Sequence, residues 1–270
     1  MAKHRTYTET DLRYLRMLSR MFPTVRAAAT EIINLNAIMS LPKGCEHLLQ
    51  VNDALFPIGG YSHSQGLETY IQKGIVHDVK SAEEYIHQKL KWSLEYTDLL
   101  AVRLAYEYAQ DDDIKSLLEL EDILEASRIP QEQRDASKKM GSRFAKTVEK
   151  LELEEVSDGI FKQYMESRKG KVMNHCCIYG VFCGAIGVKL EDVLSHYLYG
   201  QTSAMVTNCV KTIPLSQTAG QQILAGCYSC FQEILREVLE LTIDDLCLSA
   251  PGFDIRGIQH EKLYSRIYMS

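Results

Sequence analysis

The sequence predicts an all-α protein: a single multi-helix, bundle-like domain with an appended N-terminal helical hairpin and an extended C-terminal tail. Three observations predict it. Apolar residues recur at helical spacing over most of the chain, period-2 alternation is lacking, and Pro130 and Pro214 fall between periodic stretches. The 270 residues are 46% hydrophobic and 24% charged, the profile of a soluble globular chain.

Residues up to about 47 read as a basic, Met-rich helical pair over 11–21 and 24–39, broken at Pro23 and closed by Pro42 and Gly44. Residues 81–109 place Tyr85, Leu90, Leu94, Leu100, Leu104 and Tyr108 at mostly helical spacing. Ser81 with Glu84 is expected to form the capping box that starts this helix. Further helices are expected over 113–127, 131–151 and 156–167, and two long amphipathic ones over 188–210 and 217–241. The segment CCIYGVFCGAIG, 176–187, is apolar nearly all round, which marks a helix buried on every side. A glycine costs a helix about 1 kcal/mol relative to alanine. Gly180 and Gly184, four apart on one face, therefore call for the close approach of a neighbouring helix. The end of the chain, SAPGFDIRGIQHEKLYSRIYMS, carries Pro251, Gly252 and Gly257 with little periodicity and reads as an extended or conditionally ordered tail. The boundaries that follow are 1–47, 48–250 and 251–270.

Composition excludes several classes. No apolar run approaches the roughly 20 residues of a membrane span, and the first residues lack the apolar core of a secretory leader. The eight Cys lie mostly in apolar helical stretches, which suits reduced thiols and a cytoplasmic setting. The net charge is −6 with the signs interspersed, which argues against a nucleic-acid binder.

The stretch FPIGGYSHSQGLE, 56–68, is the most unusual in the chain. It lacks the glycine and lysine spacing of a phosphate loop and the G-x-G-x-x-G of a dinucleotide fold. It also lacks a G-x-S-x-G elbow, and Ser62, His63 and Ser64 are too close in sequence to face one another as a catalytic pair. Part of it reads as a loop running into a helix, with Ser62 or Ser64 near the N-cap. That leaves Tyr61 and His63 unexplained, and a polar, aromatic, glycine-rich turn fits a recognition surface. Cys227 and Cys230 have C-x-x-C spacing without the second ligand pair of a zinc site, and read as core thiols. His175, Cys176 and Cys177 point about 100° apart in succession on a helix, a strained ligand set. The acidic runs QDDDIK and LELEEVSD lie near helix starts, where carboxylates complement the dipole. No cofactor, resident metal or catalytic constellation emerges.

Three separated stretches carry a family resemblance. LLQVNDALFPIGGYSHSQGLETYI, HYLYGQTSAMVTNCVKTIPLSQTAGQQIL and QHEKLYSRIYMS resemble, in order, segments of the urease accessory protein family UreF, over about 48–270. The resemblance implies an all-α homodimer without catalysis of its own. It implies binding to UreD (also called UreH), recruitment of the GTPase UreG, and action on apo-urease during nickel insertion. It places partner binding on Gly59, Gly60, Tyr61 and His63, and on Tyr264, Arg266 and Tyr268 in the tail. The resemblance implies that the tail becomes ordered on binding UreD, and Arg266 is then expected to donate to backbone carbonyls of the 59–61 turn and fix its shape for UreG, since its planar fork holds several acceptors at once.

Residues 12–47 resemble instead the N-terminal leader of class III fructose-1,6-bisphosphatases. The metal-binding D-x-H-G segment of those enzymes is missing, since Asp53 is followed by Ala54 and Leu55. A fragmentary metal-dependent fructose-1,6-bisphosphatase and a nickel-binding metallochaperone are the alternative readings.

Overall fold

The computed structural model describes Arg13 and residues 43–248 and 250–270. The helices expected over 11–21 and 24–39 lie outside the described residues, apart from Arg13, which is helical and exposed. The chain divides into two compact units, Met1–Glu46 and His47–Ser270. Only helices and their connections occur among the described residues.

In order these are α1 (Cys45–Val51), α2 (Leu67–Gln72), α3 (Val79–Lys89), a π-helical segment (Leu90–Leu99), α4 (Leu100–Gln110), α5 (Ile114–Ser127) and α6 (Gln131–Leu151). They continue with α7 (Gly159–Ser167), α8 (His175–Ile186), α9 (Leu190–Thr212), α10 (Gln217–Glu240) and α11 (Pro251–His260). No helix among the described residues is long and apolar enough to cross a membrane.

Helix α8 is the axis of the core, and each of its residues except Ala185 is buried. Its glycines let α4 pack backbone to backbone. A Cβ on Gly180 would stand 2.5 Å from the Val102 carbonyl oxygen, and one on Gly184 3.1 Å from that of Tyr106. Gln110 then donates its amide to the Gly184 carbonyl at 2.6 Å. On another side, Phe144 of α6 meets Phe182 and Phe56 with ring centroids 5.5 Å apart in both cases. A buried polar knot ties α5 to the entry of α8. The Glu121 carboxylate accepts from the Asn174 backbone N–H at 3.0 Å and side-chain amide at 2.8 Å, and from the Tyr164 hydroxyl. Both oxygens of the buried Glu121 carboxylate are thus matched by donors.

Three expectations need correction. The helix expected over 81–109 starts earlier and changes register. Asp78, not Ser81, is its N-cap: the Ser81 N–H donates to Asp78 Oδ1 at 2.8 Å, and the Asp78 N–H donates to Ser81 Oγ at 3.0 Å. Ser81 is therefore the third residue of the box, and Asp fills the cap as well as Ser would. The middle of the helix widens into the π segment. There the Thr97 hydroxyl donates to the Ser93 carbonyl at 2.7 Å, and Asp98 turns toward Arg128. The third correction concerns the tail. Residues 251–260 form helix α11, with Pro251 at the first position, where its missing N–H costs nothing. Gly257 is required there because Pro130 and Gln133 occupy the space of a side chain. Residues 261–270 then fold back on the body as a strap and end with Ser270 buried.

One buried carboxyl in the π segment sets a pH dependence. Glu95 is fully buried with no hydrogen-bond donor on either oxygen. Burial first, then Glu237, pushes it from 4.5 up to about 8. The fold therefore holds the protonated form. That contribution is complete below the ordinary value and is lost as pH rises through about 8. Glu95→Gln keeps the shape without the proton. Its thermal midpoint is expected to exceed that of the parent at pH 9, with the margin shrinking toward pH 5, in melts across that range.

Candidate docking site at the glycine turn

The turn is built from below. Phe56 is buried against Phe144, and the chain then rises through Ile58 to Gly59, which has a left-handed φ of 77°. L-residues adopt that region at a cost. A side chain on Gly59 would also collide with the guanidinium of Arg143, which donates to the Ile58 carbonyl at 3.3 Å. Residues 60–62 make one 3₁₀ turn. Tyr61 stands out from it, 63% exposed, with the Lys211 ammonium 5.9 Å from its ring centroid.

Behind Tyr61 the chain dives inward, and the strap meets it. The Met269 N–H donates to the Ser62 carbonyl at 3.0 Å. The backbone carbonyl of Ser270 accepts from the Ser64 and Gln65 N–H groups at 2.6 and 3.0 Å and from the Ser64 hydroxyl at 2.7 Å. His63 is buried, with its Nδ1 3.0 Å from the Ser270 hydroxyl and its carbonyl accepting from the Asn208 amide at 2.9 Å. Burial, then the cations Lys139 and Arg143, holds His63 below the usual imidazole range, so the ring stays neutral.

The strap is anchored by one carboxylate. Glu68, in the first turn of α2, is only 3% exposed. Its Oε1 accepts from the Ile267 N–H at 2.7 Å, and its Oε2 accepts from the Tyr268 N–H at 3.0 Å and lies 3.1 Å from His260 Nε2. The other ring nitrogen of His260 lies 2.7 Å from Glu132 on α6. Glu132 also receives the Arg266 guanidinium. Two carboxylates and one imidazole thus join α2, α6, α11 and the strap.

The residues expected to bind partners fall into two groups. Tyr61 and Tyr264 are exposed, whereas His63 and Tyr268 are buried. Gly59 and Gly60 shape the turn. The contact of Arg266 with the 59–61 carbonyls is expected of the UreD-bound tail; in the chain by itself Arg266 lies on Glu132. It pairs with Glu132, because a carboxylate is a stronger acceptor for a guanidinium than a peptide carbonyl. Arg143 takes the position beside the turn instead. Ser62 and Ser64 do not cap the following helix; Gly66, with φ of 88°, stands at the N-cap of α2. Sequence reasoning missed Arg143, Glu68, Glu132 and His260. Each acts on a residue between 85 and 199 positions away, and no local pattern announces such a contact.

Among the described residues, no group of three or more His, Cys, Asp or Glu side chains is arranged to hold a metal ion. Of the C-x-x-C pair, Cys227 is buried and pushed up to about 12, chiefly by burial, and the Cys230 thiol donates to the Cys227 carbonyl at 3.0 Å. Both behave as protonated core thiols.

The model of the Firmicute fructose-1,6-bisphosphatase family matches a short segment, residues 13–53. The model of UreF matches residues 76–228, more than half of the chain. UreF is an accessory family in urease maturation and not a family of catalytic enzymes. This match over more than half of the chain, with the all-helical body, places the chain in the UreF family of urease accessory proteins.

Proposed function

We propose that the chain recruits UreG through the glycine turn while its C-terminal segment binds UreD, and so couples GTP hydrolysis to nickel insertion into apo-urease. The observation that carries the reading is the exposed Tyr61 ring on a turn held rigid from beneath. Aromatic side chains on pre-organised backbone bury large area at small entropic cost, which is why they recur at interface hot spots. Arg143 and Lys211 beside it add positive charge to that surface and would favour an acidic patch on the GTPase. Tyr264 and Ile267 are exposed on the outer side of the strap and are the contacts assigned to UreD. His63 and Tyr268 act from inside, by holding turn and strap together. Residues 1–47 form a separate appendage in this reading, and the working unit is a homodimer.

The test is co-expression of tagged chain with UreD and UreG in cells lacking this gene. Tyr61→Ala is expected to lower UreG co-purification and urease activation by about tenfold or more, a hot-spot-sized loss, with UreD capture and melting midpoint unchanged. Full UreG capture by that variant would refute the docking role.

A further inference from the structure

Away from the turn, Lys89, the π segment, α5 and α11 border a cavity of about 80 Å³, room for about six water-sized groups. Lys89 lines it and is only 5% exposed, with its ammonium 4.6 Å from the Phe253 ring centroid. Among the described residues no carboxylate lies within 4 Å of that ammonium. The nearby Asp98 is already taken: Arg128 donates to it from both terminal nitrogens, at 3.1 and 3.4 Å. The other carboxylate in the wall, Asp254, forms no ion pair of its own within that distance among the described residues. Two more wall groups, Arg128 Nε and Gln133 Nε2, are buried donors without an acceptor.

The cavity therefore presents a cation and a carboxylate that form no ion pair with each other within 4 Å, beside a neutral Arg128–Asp98 pair. Burial pushes Lys89 down to about 8 and holds Asp254 above the usual carboxylate range, as expected of charges short of counter-charge. The wall runs along the π segment, a geometry that is rare in proteins and concentrated at functional sites.

We propose that this cavity binds a small zwitterion, an α-amino acid the size of glycine or alanine, with its carboxylate on Lys89 and its ammonium on Asp254. A plain anion would add negative charge beside Asp254, and a plain cation would add positive charge beside Lys89. A zwitterion adds no net charge and closes the open pair, which offsets the cost of burying the Lys89 ammonium. This site is independent of the docking reading.

The test is calorimetric titration of the full chain with glycine, alanine, leucine, acetate and methylammonium. Glycine or alanine is expected to saturate one site about tenfold or more tighter than acetate or methylammonium, and leucine, too large for the cavity, is expected not to bind. Lys89→Met and Asp254→Asn, each verified as folded by circular dichroism, are each expected to weaken glycine by about tenfold or more. Absence of saturable binding by both small amino acids overturns the proposal. So does acetate binding as tightly as glycine, or unchanged affinity in both variants.

Discussion

Glu68→Gln is expected to lower the unfolding free energy by about 2–4 kcal/mol, because a single buried carboxylate serves two strap N–H groups and an imidazole at once. The amide keeps one acceptor oxygen and introduces two donors where donors already converge. At least one of the Ile267 and Tyr268 N–H groups is then left without an acceptor, and the pairing of the Glu68 charge with His260 is lost. Hydrogen bonds to a charged group contribute more than neutral ones, so the loss exceeds that of an ordinary side-chain bond. Urea titration measures it as a lower midpoint. Limited proteolysis is expected to cut first within 261–270, before the helical body.

Gly180→Ala is the second large effect. Alanine improves helix propensity by about 1 kcal/mol, and at an exposed site it would stabilise. Here the added methyl would stand 2.5 Å from the Val102 carbonyl oxygen, 2.9 Å from Ala105 Cβ and 3.1 Å from the Tyr106 nitrogen. Two of those neighbours are backbone and have no rotamer to yield. Overpacking of a close-packed core costs about 1–3 kcal/mol and sometimes more, and this position belongs at the upper end. The net expectation is a destabilisation of about 2 kcal/mol, read as a lower midpoint in urea. Gly200→Ala serves as the control. Its nearest foreign atom would be the Asn52 amide oxygen at 3.5 Å, an ordinary contact, and it is expected to be neutral or stabilising.

The elements that could be read from the sequence are those fixed by local rules. Helix α6 spans the residues that Pro130 and the apolar spacing indicate, and α10 ends one residue short of its expected limit. The glycines of α8 were legible because a helical glycine demands a close neighbour, and α4 supplies it. The chemistry of Asp78 was equally local, yet Ser81 and Glu84 offered a competing box, and the structure favours the earlier carboxylate.

The strap and its anchors were not legible for a different reason. Helix α11 is short and glycine-interrupted, so its stability comes from packing against α2 and α6 and not from its own periodicity. Glu68 looks like any acidic residue in a first helical turn until residues 199 and 200 positions later fold onto it. Arg266 and Arg143 are not distinguished for this role by any local pattern in the sequence. Only the position of Glu132 decides that Arg266 pairs there and Arg143 donates to the Ile58 carbonyl.

The central claim is that the turn and the strap form one piece, locked by Glu68. Native-state hydrogen exchange tests it most directly. The amides of Ser64, Gln65, Ile267, Tyr268 and Met269 are expected to share one opening free energy in the parent chain, and to lose protection together in Glu68→Gln while α8 stays protected. Exchange of the strap amides at unprotected rates in the parent, or loss of strap protection in Glu68→Gln with Ser64 and Gln65 unaffected, would contradict it.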